Sequence, residues 1–332
     1  MSSATVGLRP AQLLDDRGAA AVSERSFFRS RTHYDAEGVT HTLVLSAPGT
    51  RCAVPLVVRP IPGTGLHDAA SPYGYPGGDL DGTPPDAADL DLSGTGLVSV
   101  FVREPIARPS LSGGTRRGTV LVHDPFRPRS TSRSFRRALR AARSAGYTPE
   151  LLYGPDVDDT TLAGFAAAYA HTMNHVGATD RYRFGAGYLR GCLGHDGSWL
   201  AVVRDGDGRV AAGELVVRSD GILHSYLAAT GDDHRHASPG KLCTARLLDL
   251  ADELAMPLNH GGGVRPGDGL EASKRSYCNA EMGFVTHELV ADEDTYDRLC
   301  RDVSGPSGDY FPGYRRRPGA PGGADSIPRE TT

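Results

Sequence analysis

Lysine is nearly missing from this sequence. Only Lys241 and Lys274 occur among its 36 basic residues, and all the others are arginine. Such a bias, typical of a GC-rich genome, replaces lysine wherever arginine serves, so the two exceptions need a reason. Long apolar runs are also lacking, and none approaches the ~20 residues that span a bilayer. The first residues, "MSSATVGLRPAQLLDDRGAA", show no basic segment followed by an apolar one, so no secretory leader is expected and the cytoplasm is the expected compartment. The five cysteines stand singly, without a CxxC or a His/Cys spacing suited to zinc, which points to reduced thiols. Asp232, Asp233, His234 and His236 share one polar loop but have no established ligand spacing, and no metal is expected. There is no GxSxG elbow and no evident Cys–His pairing, so a protein nucleophile is not expected. A net charge of −4 argues against a generally basic nucleic-acid binder and leaves room for a local patch.

What is present is enough for two domains, with 332 residues of which 39% are hydrophobic. Residues 1–20 read as a flexible N-terminus. Residues 303–332, rich in Gly, Pro and charge and including Arg315, Arg316 and Arg317, read as a disordered, solvated tail. Between them, residues 21–150 contain the strands "VTHTLVLSA", "RCAVPLVVR", "GLVSVFVRE" and "GTVLVHD", then the helix "STSRSFRRALRAARSAGY" and the strand "TPELLYG". Ser132 or Ser134 caps that helix and Gly146 ends it. Residues 151–302 open with the helix "DDTTLAGFAAAYAHTMNHVG". Three strands follow, "SWLAVVRD", "RVAAGELVVRS" and "GILHSYLAAT", joined by the hairpin signals "DGDG" and "SDG". Next come the helix "KLCTARLLDLADELA", the strand "PLNHGGG", the stretch around Lys274, the strand "FVTHELV" and a last helix. A meander followed by a strand–helix–strand unit is the order of an N-acetyltransferase-like (GNAT) fold. The first half has a similar order without a detectable sequence repeat. The expected class is therefore α+β, with tandem GNAT-like domains at 21–150 (degenerate) and 151–302 (catalytic). Each is expected to be a mixed, mainly antiparallel sheet flanked by helices.

Several stretches together resemble the FemA/FemB/FemX-like proteins of the GNAT superfamily. They are "SFRRALRAARSAGY", "FAAAYAHTMNHVGATDRYRF", "HSYLAATGDDHRHASPGKLCTARLLDLA", and "LNHGGGV" followed by "DGLEASKRSYCNAEMGF". "SPYGYPGG" is similar to a turn in their first domain. The resemblance covers roughly residues 40–290 and implies tandem GNAT-like domains. It implies an enzyme that moves an amino acid from aminoacyl-tRNA to an amine and so forms an amide. It also implies no cofactor beyond that co-substrate. The long helical arm of some cell-wall members is absent. The expected acceptor is thus a small peptidic natural-product intermediate, with a peptidoglycan precursor as the other case. An acyl-CoA-dependent N-acyltransferase and a catalytically inactive GNAT-fold binding module are the alternatives.

Amide formation from an activated ester needs a neutral amine, charge relief at the carbonyl oxygen and a held leaving group. Lys274 in "SKRSY" matches the position of the family's catalytic lysine, where a compact ammonium approaches a developing oxyanion more closely than a guanidinium can. Lys241 follows Ser238, Pro239 and Gly240 at a helix start, where amides and a cation together suit an anion. A capped helix with a solvated lysine explains it equally well. "HRHASPGK" lacks the clean Q/R-x-x-G-x-G/A loop with which acyl-CoA enzymes of this fold cradle a pyrophosphate. Glu214 lies mid-strand among apolar residues, either as a base with a raised pKa or pointing to solvent. Tyr226 and His224 share a face of the next strand and either line the acceptor site or pack across strands. Tyr226 joins Lys274 and Glu214 as a catalytic candidate. Asn259 and His260 precede "GGG" at a strand end, where a ligand can approach the backbone. Tyr73, Tyr75, Arg181 and Tyr182 are candidate walls of the substrate cleft. Arg133, Arg136, Arg137 and Arg140 fall on one helix face and suit the phosphates of tRNA, unless they are only a solvated face.

Overall fold

The computed structural model describes residues 10–16, 18–23, 25–178, 180–263, 267–301, 303 and 310–316. In chain order the elements begin with β1 (Gln12–Leu14), α1 (Arg31–Glu37), β2 (His41–Ala47), β3 (Thr50–Pro60), β4 (His67–Ala70), β5 (Asp79–Asp81) and β6 (Leu97–Arg103). Next are β7 (Thr115–His123), α2 (Arg133–Ser144), β8 (Thr148–Tyr153), α3 (Asp159–His175), α4 (Ala186–Leu193), β9 (Ser198–Arg204) and β10 (Val210–Ser219). The chain continues with β11 (Ile222–Thr230), α5 (Gly240–Leu254), β12 (Leu258–Asn259), α6 (Gly269–Arg275), β13 (Ala280–Val290) and α7 (Glu293–Arg301).

These elements form two compact units. The first comprises Met1–Gly118 and Gly283–Thr332, and the second Thr119–Met282. The expected boundary at 150/151 differs, because α2 and β8 fall inside the second unit. The reason is strand pairing. β8 runs antiparallel to β9, from Thr148 opposite Arg204 to Tyr153 opposite Trp199, and Phe135 and Ala142 of α2 enter the core that β9, β10 and α5 share. Both units follow one pattern. In the first unit β1, β2, β3 and β4 pair antiparallel, β4 and β6 pair parallel, and β13 runs antiparallel to β6. In the second unit β8, β9, β10 and β11 pair antiparallel, β11 and β12 pair parallel, and β7 runs antiparallel to β12. The expected class is what is found: α+β, with mixed, mainly antiparallel strand pairing in each unit and helices beside it.

Local chemistry explains the elements. Ser132 caps α2 by accepting the Phe135 amide, and Asp158 caps α3 by accepting that of Thr161. Central strands such as β9, with Leu200, Ala201, Val202 and Val203 all fully buried, are apolar on both faces because helices cover the sheet.

Both ends of the described chain are more ordered than expected. Residues 10–16 are not a loose terminus. β1 pairs with β2, and Ala11 is buried in the first unit's core. Within the expected tail, residues 310–316 pack on the first unit, while Arg317 lies outside the described residues. Phe311 stacks on Phe101 and Tyr296. Arg315 Nε donates to Asp68 Oδ2 at 2.5 Å, and Arg59 Nε donates to Asp68 Oδ1 at 2.9 Å. Tyr314 Oη adds a third donor to this carboxylate at 3.0 Å. Asp68 is wholly buried, and burial pulls the Arg59 guanidinium below its ordinary value. A composition that suggests a solvated tail thus hides one buried arginine anchor. Asp68→Asn leaves two buried guanidiniums short of their counter-charge and is expected to cost about 3–5 kcal/mol, read from the urea unfolding midpoint.

Candidate active site

The site develops where β12 ends beside β11. Their parallel pairing has two rungs, Leu223 opposite Leu258 and His224 opposite Asn259; β12 stops there, while β11 runs on to Thr230. β11 also carries a bulge. Leu215 of β10 faces Leu227 and the next residue, Val216, faces Ser225, which leaves Tyr226 as the extra residue. The bulge sends Ser225 and Tyr226 to different surroundings.

Glu214 of β10 does not point to solvent; it is 5% exposed. Ser225 Oγ donates to its Oε1 at 2.5 Å, and Thr244 Oγ1 of α5 lies 3.3 Å from Oε2. His260 Nδ1 is 3.9 Å from Oε1. Burial raises the Glu214 pKa, outweighing the opposing pull of these hydroxyls and of Lys274 and Lys241.

Both lysines belong to this group. Lys274 of α6 donates from Nζ to the Gly262 carbonyl at 2.7 Å. Gly261, at φ +70°, would place a Cβ 3.5 Å from that ammonium, so the positive φ at the strand end is what requires glycine there. Lys241 Nζ donates to Ser273 Oγ at 2.5 Å and lies 5.0 Å from the Tyr277 ring and 5.8 Å from the Phe135 ring. It is not a solvated residue at a helix start. Burial lowers the pKa of each lysine, and Glu214 opposes the shift in both. Two of the first-turn amides that could have held an anion are already used: Lys241 N donates to Ser238 O and Leu242 N to Pro239 O.

His260 packs edge-on to Tyr277 at 5.0 Å. Its Nε2 is buried and has no hydrogen-bond partner among the described residues, a gap that a substrate group or a water can fill. Burial, reinforced by Lys274, pushes its pKa down to about 3. His224 is likewise pushed down to about 3 by burial. It is 3.1 Å from Asn259 Nδ2, and Asn259 Oδ1 accepts the Gly261 amide at 2.7 Å. These two candidates turn toward each other and hold the strand end.

The remaining candidates are placed apart from this group. Tyr226 Oη is hydrogen-bonded to Tyr188 Oη, and Tyr188 stacks on Phe184 at 4.0 Å. The Tyr182 carbonyl accepts from Tyr169 Oη; the Arg181 side chain lies outside the described residues. Ser238 is exposed in a left-handed conformation, φ 50°. Tyr73 and Tyr75 belong to the first unit. The Tyr73 amide donates to Glu37 Oε2 and its carbonyl is 2.8 Å from His33 Nε2, while Tyr75 meets Phe28 and Phe284 edge-on. Arg133, Arg136, Arg137 and Arg140 are all exposed on α2. None of the four is ion-paired with a carboxylate among the described residues. Sequence reasoning missed Ser225, Thr244, Ser273 and Tyr277. Only the pairing of strands and helices brings them to Glu214 and the lysines.

With this geometry in view, residues 129–257 match the family model described as an acetyltransferase (GNAT) domain. The second unit is similar in fold to a GNAT domain. The solved structure of FemX superposes with a TM-score of 0.55 at 11% identity, covering 77% of this chain and 89% of that one. The C-terminal domain of a putative lysylphosphatidylglycerol synthetase from Agrobacterium fabrum gives 0.52 at 15% identity, covering 88% and 98%. L-PGS from Bacillus licheniformis gives 0.52 at 12% identity, covering 82% and 88%. No curated protein matches the chain in sequence. The fold is Fem-like. No described helix is long and apolar enough to cross a membrane.

Two buried imidazoles make the second unit sensitive to acid. Their folded pKa values lie below the ordinary 6.5, so the unfolded chain binds more protons. The stability they contribute is complete above about pH 6.5 and is lost as pH falls toward 3. Urea midpoints across that range should fall less steeply for a His224→Asn/His260→Gln variant than for the parent chain.

Proposed function

We propose that the protein is an acyltransferase that moves an aminoacyl group from charged tRNA to the amine of a small acceptor, forming an amide. The observation that carries this reading is the convergence of both lysines on a buried carboxyl group. Burial raises the pKa of Glu214 and lowers that of Lys274, so each is tuned toward proton exchange. The fold likeness to FemX and to synthetases of an aminoacylated lipid supports an aminoacyl donor.

In this reading the acceptor nitrogen bonds to the ester carbonyl carbon and the carbon–oxygen bond to the terminal ribose breaks. Glu214 accepts the proton that the amine loses. The Lys274 ammonium meets the oxyanion as it forms, and the ribose oxygen leaves as a hydroxyl with the proton that Glu214 took from the amine. Ser225 and Thr244 fix the carboxylate. The open Nε2 of His260 is available to a polar substrate group. The arginines of α2 supply charge for RNA phosphates. The acceptor is read as a small peptidic molecule, with a peptidoglycan precursor as the other candidate.

An acyl-CoA donor is the second reading, favoured by the description of the matching family model. Against it stand the occupied amides of Lys241 and Leu242 at the start of α5. Incubation with charged tRNA and candidate amines, with and without RNase, separates the two: RNase should abolish turnover, and RNase-insensitive turnover with acetyl-CoA overturns the proposal. Lys274→Ala should lower kcat by about 10²–10³-fold. Lys274→Arg should not restore it, because a guanidinium cannot occupy the same short approach to the Gly262 carbonyl.

A further inference from the structure

Beside α6 the second unit has a cavity of about 480 Å³ lined by, among others, Leu121, Arg127, Ser130, Arg275, Cys278 and Glu281. Its volume is that of an ordinary small-ligand site. The wall at Cys278 lies beside the lysine group: the Cys278 amide donates to the Lys274 carbonyl at 3.1 Å. Next to the cavity residue Arg127 stands Phe126, 76% exposed, more than any other large apolar side chain among the described residues. An isolated surface apolar residue needs no explanation in general. This one is held out by a pinned loop. The Phe126 amide donates to Asp124 Oδ1 at 2.9 Å. Asn279 in turn accepts the Asp124 amide at 2.7 Å and donates to the Asp124 carbonyl at 2.9 Å. Arg127 is paired with Asp124 at 3.1 Å, which leaves the aromatic ring as the loop's open group. From this loop the chain passes directly into α2, whose start is tied to the turn after α6 by the Ser132 amide donating to Ser276 O at 2.8 Å. Arg133, Arg136, Arg137 and Arg140 follow, exposed.

An exposed aromatic ring, a cavity of nucleotide size and a row of arginines without acidic partners among the described residues combine the features that recognise a single strand. The ring stacks a base, the arginines hold phosphates and the cavity takes the end. We propose that this surface binds the unpaired 3′ end of the donor RNA, with Phe126 stacking on a base and the terminal nucleotide in the cavity beside Lys274. The inference rests on the reading of the donor as charged tRNA.

Its test needs no charged RNA and no turnover. The full chain is titrated with two uncharged RNA hairpins of the same stem, one with a four-nucleotide single-stranded 3′ end and one blunt, and binding is read by fluorescence anisotropy. The parent chain should prefer the overhang. Phe126→Ala should raise the Kd for the overhang hairpin by roughly 5- to 100-fold and leave the blunt hairpin unchanged. Arg137→Ala/Arg140→Ala should weaken both hairpins and reduce the salt slope by about 1–2. Equal binding of the overhang hairpin by the parent and Phe126→Ala overturns the inference, and so does an equal loss for both hairpins. If RNase-sensitive turnover is present while Phe126→Ala is silent, this inference alone fails. If neither hairpin binds and acetyl-CoA is turned over, the donor reading fails and takes this inference with it.

Discussion

Taking Glu214 out of water governs the chemistry of the second unit. A carboxylate deprived of solvent must be answered by hydrogen bonds, by opposite charge or by a proton, and this group is offered all three. Ser225 and Thr244 supply hydroxyls, the two lysines supply charge, and burial raises its pKa, which favours the proton. These partners come from three elements, Ser225 from β11, Lys241 and Thr244 from α5, and Lys274 from α6. The pairing of β10 with β11, the bulge at Tyr226 and the docking of α5 therefore all have to be right for one side chain to be tolerated. Conversely, a site with this much buried charge is expensive unless it performs a task, which is why its composition bears on function.

The lysines show how a scarce residue type can be informative. Ammonium and guanidinium are interchangeable on a surface, and this chain uses arginine throughout its exposed faces, as on α2. At Lys241 the ammonium lies against Tyr277 and Phe135 and reaches Ser273. At Lys274 it fits against the backbone of Gly262. Both contacts are close and partly desolvated, and a broad planar cation would not fit them in the same way.

Much of this was readable from local pattern and some was not. The element order, the caps of α2 and α3 and the oddity of the lysines are all properties of nearby residues, and they sufficed for the fold class. The orientation of Glu214 was left open by strand alternation, because period-2 reading tells which residues share a face but not what covers it. Ser225 escaped notice because a bulge breaks the same alternation one residue later. The division into units was misplaced because β8 pairs with a strand about fifty residues further on, and no local signal records such a partner. Arg315 looked solvated for a similar reason: its carboxylate, Asp68, lies far upstream in the chain.

The first unit is made of two separated stretches, and the second unit lies entirely between them. On a ribosome the second unit can therefore complete its sheet while β13, α7 and the Arg315 anchor of the first have yet to be made. Synthesis from the N-terminus would normally favour the earlier domain, but here the order is inverted. The strands β1 to β6 must wait, with the edge of β6 uncovered, until nearly the whole chain has emerged. During that interval the exposed edge is open to pairing with a neighbouring nascent chain, so production of the protein should be more sensitive to translation rate and chaperone supply than its finished stability suggests.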